Sequence, residues 1–285
     1  MTHLNVYPDF QSVRVNIDRE FEMDSVVVAP SRWQGLDVHT KPEMAMHELL
    51  DISFQVANLE KSTVDSLVQD IKPHILWADV HFDERVGGEP LNPGESWKVW
   101  PWAHSADKFR VHDGQYDHTY MERFWPKYAG RSKDGKIPEY PAFIQRNPHS
   151  GIRFEYGDLN DLISHLKNDP SSRQAYLPVW FPEDGTCHGR KPCTLGYHFL
   201  LRNGFFHHTY YIRSCDFIRH WADDCYLAMR LHLWILDRLR DLDPNWIEIK
   251  PGRFTMHIVS LHMFANDWIQ RYGKENSSVR YLSRR

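Results

Sequence analysis

"TLGYHFLLRNGFFHHTYYIRS", residues 194–214, decides the fold. Two aromatic and aliphatic runs flank Asn203-Gly204, the strongest short hairpin signal, because both residues tolerate the positive φ of a type I′ turn. The segment predicts two long antiparallel strands. If they close symmetrically on the turn, Cys193 stands opposite Ser214 and Thr194 opposite Arg213. Cross-strand neighbours lie ~5 Å apart at Cβ. A guanidinium that close favours the thiolate, the form of cysteine that attacks electrophiles. A guanidinium with a hydroxyl also makes a phosphate seat. Cys193 alone would read as buried filler; with Arg213, Ser214 and Asp216 beside it, the group reads as a site.

Outward from the hairpin, "DLNDLISHLKNDP" (158–170) predicts an amphipathic helix that stops at Asn168-Asp169-Pro170, and "AYLPVWF" (175–181) a strand. "CYLAMRLHLWILDRL" (225–239) is a long apolar helix following Asp224. In "HTKPEMAMHELLDISFQVANL" (39–59), Thr40 and Glu43 have capping-box spacing and Pro42 suits a first turn. Apolar residues then recur at helical intervals, which predicts a helix with Glu48 about two turns in. A glutamate on that helix's wet face is the plain reading of Glu48. Residues 78–150 are rich in Pro, Gly and Trp and read as an insertion packed over the rest, with "YDHTYMERFWPKYA" (116–129) a short helix or lid. The expected class is α/β, in one domain spanning 1–285.

The net charge of -4 gives no footprint for gripping a nucleic acid. No apolar run approaches membrane-spanning length and no leader pattern opens the chain, so the expected setting is cytoplasmic, with reduced thiols. Cys187-His188 with Cys193 hints at a metal site, but the second ligand pair is missing, and no metal is predicted. A cysteine hydrolase using His188 or His198 as base is a weaker alternative, since His198 points to the other face of the strand.

Six segments together carry a resemblance: "HELL" (47–50), "HTYMERFW" (118–125), "HLKNDPSSRQ" (165–174), "KPCTLGYHF" (191–199), "YIRSCDFIRHWADD" (211–224) and "GRFTMHIVSLHMF" (252–264). In that order they resemble the thymidylate synthase superfamily. The resemblance implies a large mixed sheet packed with helices, a homodimer, and one-carbon transfer from 5,10-methylenetetrahydrofolate to C5 of a pyrimidine nucleotide. By position, Cys193 would add to C6 of the base, and Arg213 with Ser214 would hold the phosphate. Arg173 would reach the partner's phosphate site, where the family's second arginine is replaced by Gln174. Arg14, Arg19 and Arg32 are all candidates for a further phosphate arginine. Asp216 would contact the folate pterin and His262 the ribose, whose second contact is lost at Phe264. Glu48 would organise water and proton traffic, with a share in the cofactor site. Tyr120 would help remove the C5 proton.

Asp224 falls eleven residues after Arg213, where thymidylate synthases carry an asparagine that pairs with uracil. A carboxylate facing uracil O4 sets two acceptors together. Facing cytosine, it accepts from the amino group and stabilises a proton on N3 as the Cys193 adduct forms. An unpaired buried polar group costs about 1–3 kcal/mol, enough to reject uracil by repulsion. The plainer reading makes Asp224 a helix cap and Asp223 its structural neighbour. By this aspartate the chain resembles the deoxycytidylate hydroxymethylases, which implies dCMP as substrate. The end "VRYLSRR" lacks the family's apolar closing tail, so water rather than hydride is expected to capture the methylene, giving 5-hydroxymethyl-dCMP. Such an enzyme suits a bacteriophage making modified DNA. Alternatives are a dCMP methyltransferase, a CMP hydroxymethylase, a dUMP methylase and a non-catalytic nucleotide binder.

Overall fold

The computed structural model describes residues 4–33, 36–103, 107–110, 114–126, 157–185 and 190–273. Cys187, His188, residues 127–156 and the basic C-terminus therefore lie outside the described residues. Strands β7 (Thr194–Arg202) and β8 (Phe205–Asp216) form the expected hairpin. Asn203 and Gly204 take φ of 52° and 78°, as a type I′ turn requires. Around it runs a seven-stranded sheet, built also from β1 (Asn5–Tyr7), β2 (Val26–Val28), β5 (Met46–Val56), β6 (Tyr176–Pro178) and β9 (Lys250–Phe264). Its order is β1-β5-β9-β8-β7-β6, with β2 also on β5. β1 with β5 and β8 with β9 are parallel and the other pairs antiparallel, so the sheet is mixed. A short β3–β4 ribbon (Arg32–Trp33 and Leu36–Asp37) stands apart.

Helices cover one face. They are α1 (Phe10–Asp24), α2 (Val64–Ile71), α3 (Ile75–Val86), α4 (Tyr120–Phe124), α5 (Leu159–Asn168), α6 (Trp221–Leu242) and α7 (Ala265–Tyr272). α6 is the central one, and its buried Trp221, Cys225, Tyr226, Met229 and Leu236 join Phe206, Tyr210, Phe254 and Met256 of the sheet in the main core. Ala78, Phe82, Phe124 and Trp125, from the stretch expected as an insertion, belong to that same core. α3 is clasped to α6 where the Tyr226 hydroxyl donates to Asp79 at 2.7 Å and Arg230 pairs with the same carboxylate.

The helix expected over 39–59 is not formed. One 3₁₀ turn (Pro42–Met44) precedes β5, and Glu48 lies on a strand paired with His262 of β9. Phe54 and Val56 face the core, but so do His47 and Leu49, because the inward phase switches from odd to even at Asp51 (φ 53°). β9 switches likewise, from Phe254, Met256 and Ile258 to Leu261 and Met263, and β8 from Ile212 to Cys215. A period of two with a phase slip imitates helical spacing.

His208 of β8 and His232 of α6 are buried together, with ring centroids 5.8 Å apart. None of their ring nitrogens has a hydrogen-bond partner among the described residues. Burial pushes His232 down to about 3. Since an unfolded histidine titrates near ~6.5, this neutral imidazole contributes full stability above that pH and loses it as pH falls toward 3. In urea unfolding, His232→Leu should therefore reduce the stability lost between pH 7.5 and 4.5 by on the order of 2 kcal/mol.

Candidate active site

The nucleophile loop enters β7 through a bulge. Beyond Gly196 the register shifts by one, so Thr194 pairs with Ile212, and the Arg213 N–H donates to the Cys193 carbonyl at 2.9 Å. The expected pairs Cys193–Ser214 and Thr194–Arg213 are thus displaced by one residue. Gly196 permits this: a Cβ there would lie 2.2 Å from the Tyr176 hydroxyl and 2.7 Å from the Leu177 carbonyl. The Arg213 guanidinium holds the loop itself, donating to Pro192 O (2.9 Å) and Lys191 O (3.0 Å).

Tyr120 opens α4 behind a capping box in which the Thr119 side chain and Glu122 satisfy one another's backbone N–H. Thr194 donates to the Tyr120 hydroxyl (3.2 Å) and shares a 2.8 Å bond with Tyr210, whose hydroxyl must then be the donor. The Tyr120 proton is left to face the site. Burial raises its pKa, with Cys193 and Asp224 adding to the rise. The buried Arg85 guanidinium of α3 stacks on the same ring, 4.1 Å from its centroid.

Cys193 is partly exposed, and its thiol sits above the ordinary range. Burial dominates; Asp224 adds to it, while Arg213 and Arg190 pull the other way. The guanidiniums favour the thiolate as expected, but desolvation outweighs them. Asp224 is shifted in the same sense. It lies in the first turn of α6 behind His220, which is the N-cap. Burial pushes its carboxyl up to about 7, against the pull of Arg85 and of the Cys215 thiol, which donates to Oδ2 at 3.4 Å.

A second group adjoins the first. On neighbouring strands stand Glu48, His262 and Asp216, paired in register, with Ser214 beside Ser260. Ser260 donates its hydroxyl to Glu48. Asp216 is buried and accepts from the N–H groups of Ile218 (2.9 Å) and Arg219 (3.0 Å) and from the Arg219 guanidinium (3.0 Å). Burial lowers the His262 pKa, with Asp216 and Glu48 opposing. Arg173 is exposed before β6 and is not brought to this chain's cluster. Arg14 and Arg19 lie on α1. Arg32 is next to Trp33, which packs on Phe109 and Phe264.

Sequence reasoning missed Arg190, Arg85 and Thr194. Arg190 had a signal, lying three residues before Cys193. It lies over the Phe109 ring at 4.6 Å, and burial lowers its pKa while Cys193 and Tyr120 oppose. Burial and the charges of Arg123, Arg190 and Arg213 hold the neighbouring His118 neutral. Three guanidiniums thus act on one buried spot, a field that would suit an anion.

Between the groups lies an aromatic cluster. Trp100 stacks over His220 (centroids 5.8 Å) and meets Trp97 edge-on (5.3 Å), while Trp102 contacts both His220 and His74. The indole N–H groups of Trp97 and Trp100 are buried and unpartnered among the described residues. Flat walls with orphaned donors fit a hydrogen-bonding heterocycle such as a pterin. No group of three or more metal-ligating side chains occurs among the described residues, and no described helix is long and apolar enough to cross a membrane.

Comparisons with known proteins agree with this geometry. The family model described as Thymidylate synthase matches residues 95–274. Two proteins named "Putative thymidylate synthase", from Methanosarcina barkeri (strain Fusaro / DSM 804) and Methanosarcina acetivorans, are each 29% identical over 123 and 114 residues, covering 43% and 40% of this chain and 51% and 49% of theirs. A "Deoxyuridylate hydroxymethyltransferase" of Bacillus phage SP01 is 24% identical over 165 residues, 49% of this chain and 41% of its own. The chain thus spans about half the length of these two curated relatives. The solved structure of thermostable thymidylate synthase A from Bacillus subtilis shares the fold, with a TM-score of 0.60 at 15% identity over 97% of this chain and 84% of that one. With the matched range spanning Cys193, the Arg213–Asp216 end of β8 and His262, the chain belongs to the thymidylate synthase family.

Proposed function

We propose that this protein hydroxymethylates C5 of dCMP, with Cys193 adding to C6 of the base and water capturing the one-carbon unit. The observation that carries the base assignment is Asp224, placed with Cys193 and Tyr120 in one buried pocket. An ionised carboxylate there accepts from the cytosine amino group and repels uracil O4. The family relative named as a hydroxymethyltransferase supports the water-capture outcome. When bound, 5,10-methylenetetrahydrofolate supplies the one-carbon unit at the oxidation level of formaldehyde. Trp97, Trp100 and His220 would hold it, with the remaining acceptor capacity of Asp216.

The residues then divide the work. Arg213, Arg190 and Ser214 seat the phosphate, and His262 orients the sugar. Because Arg213 also grips Lys191 and Pro192, phosphate binding and placement of Cys193 share one side chain. Tyr120, its oxygen already accepting from Thr194, shuttles a proton near C5. A homodimer would bring the exposed Arg173 to the partner's phosphate. The half-exposed sheet face, where Tyr211 stacks on His257 at 5.2 Å, supports such an assembly.

One observation favours a second reading. A neutral Asp224 offers one donor and one acceptor and can pair with either base, so dUMP is the competing substrate near and below pH 7. Incubating dCMP and dUMP separately with the protein and the folate, then weighing the nucleotides by mass spectrometry, tests both. Gain of CH₂O on dCMP is the expected result. Gain of CH₂ would mean reduction rather than hydration, and reaction of dUMP alone would overturn the base assignment.

A further inference from the structure

Asp223 directly precedes the base-reading aspartate, yet it faces another element. It is 1% exposed and accepts from both the backbone N–H of His74 (2.8 Å) and its ring Nδ1 (3.0 Å). Two bonds to one buried carboxylate fix the ring plane and the tautomer: Nδ1 carries the proton and Nε2 presents its lone pair. His74 is the N-cap of α3 but makes no side-chain capping bond, so the ring is not spent on the helix. Its side chain is 40% exposed and meets Trp102 edge-on at 4.9 Å, at the edge of the aromatic cluster. Glu48, by contrast, is engaged by the Ser260 hydroxyl on the far strands.

We propose that His74, oriented by Asp223, is the general base that activates the water which captures the one-carbon unit on C5. The inference rests on the hydroxymethylase reading and adds the residue that determines the product. In this step the water oxygen bonds to the exocyclic carbon as His74 Nε2 takes one water proton. The electron pair of the exocyclic double bond moves into the ring toward N3, beside Asp224. When C5=C6 reforms, the Cys193 sulfur leaves with its bonding pair, and His74 returns its proton to solvent. No oxidant or reductant enters. One helical turn of α6 then carries both decisions: Asp224 selects the base, and Asp223 sets up what is added to it.

The test uses dCMP tritiated at C5 with the full chain and the folate. In His74→Ala, hydroxymethyl-dCMP formation should fall by roughly 10²-fold or more, while a burst of tritium release persists. Intact-protein mass spectrometry should show the nucleotide and its one-carbon unit trapped on the chain. Imidazole in the buffer should restore product, which also shows that the variant is folded. Asp223→Asn should fall in the same direction, and the double variant should be no worse than His74→Ala alone. Product at the wild-type rate in His74→Ala overturns the inference while leaving dCMP hydroxymethylation standing. Loss of tritium release and product together, unrescued by imidazole, overturns it in favour of a structural role. A wild type that adds no hydroxyl overturns the reading on which it rests.

Discussion

Replacing Cys193 with alanine should lower turnover by roughly 10⁴-fold or more, the scale on which loss of a covalent nucleophile acts, while nucleotide affinity changes little. The affinity groups are elsewhere: Arg213 bonds to backbone carbonyls, not to the thiol, and Arg190 stacks on Phe109. The same geometry makes a second statement about the free protein. Burial and Asp224 hold the Cys193 thiol up against two guanidiniums. Iodoacetamide should therefore label it slowly at neutral pH, at a rate that rises with pH only above the free-thiol range of ~8.5. Rapid labelling at pH 7 would mean that the arginines win. The nucleophile is expected to lose its proton only with a base in place, which protects it from adventitious electrophiles.

Asp224→Asn should shift the dCMP:dUMP ratio of kcat/KM toward uracil by roughly 10²–10³-fold. Each mismatched buried contact costs about 1–3 kcal/mol, and the change acts on both substrates in opposite senses. In the wild type the ratio should itself climb as pH rises from 6 to 8, because the carboxyl titrates at about 7 in the free site. The acid form pairs with either base, and only the ionised form excludes uracil. Stability carries the same signature. A carboxyl raised above its unfolded value of ~3.9 contributes stability below pH 4 that is lost as pH climbs through 7. The asparagine variant escapes that loss and should be more stable than the wild type at pH 8 by on the order of 3 kcal/mol, measured by urea unfolding. A ratio flat with pH, or a variant no more stable at pH 8, would show that Asp224 is ionised throughout.

The hairpin, the α5 helix and the long α6 helix were legible because their signals are local. Asn203-Gly204 dictates a turn, and Asp169-Pro170 stops a helix. Cys193, Arg213, Ser214, Asp216 and Asp224 were legible for the same reason, all lying within one hairpin and the helix that follows. The strand over Met46–Val56 was misread because its inward face changes phase at Asp51, and pattern reading assumes a fixed phase. The bulge at Gly196 was invisible because the close neighbour that excludes a side chain there, Tyr176, lies on another strand. His74 and Asp223 are 149 residues apart, and Arg85 has no local motif. Nor can a sequence weigh desolvation against charge, which is why the upward shifts of Cys193 and Asp224 were not legible in it.

The phase switch shared by β5, β9 and β8 also governs how the chain can vary. Along β9, polar residues stand at 253, 255 and 257 and then at 260 and 262, the positions that turn away from the core. A homologue that drifts by single substitutions must respect two opposite alternations within one strand. A one-residue insertion or deletion near Asp51 or Val259 would realign half a strand with the wrong rule. Length in these strands is therefore expected to be more rigidly inherited than residue identity, and family members should diverge in side chains long before they diverge in spacing.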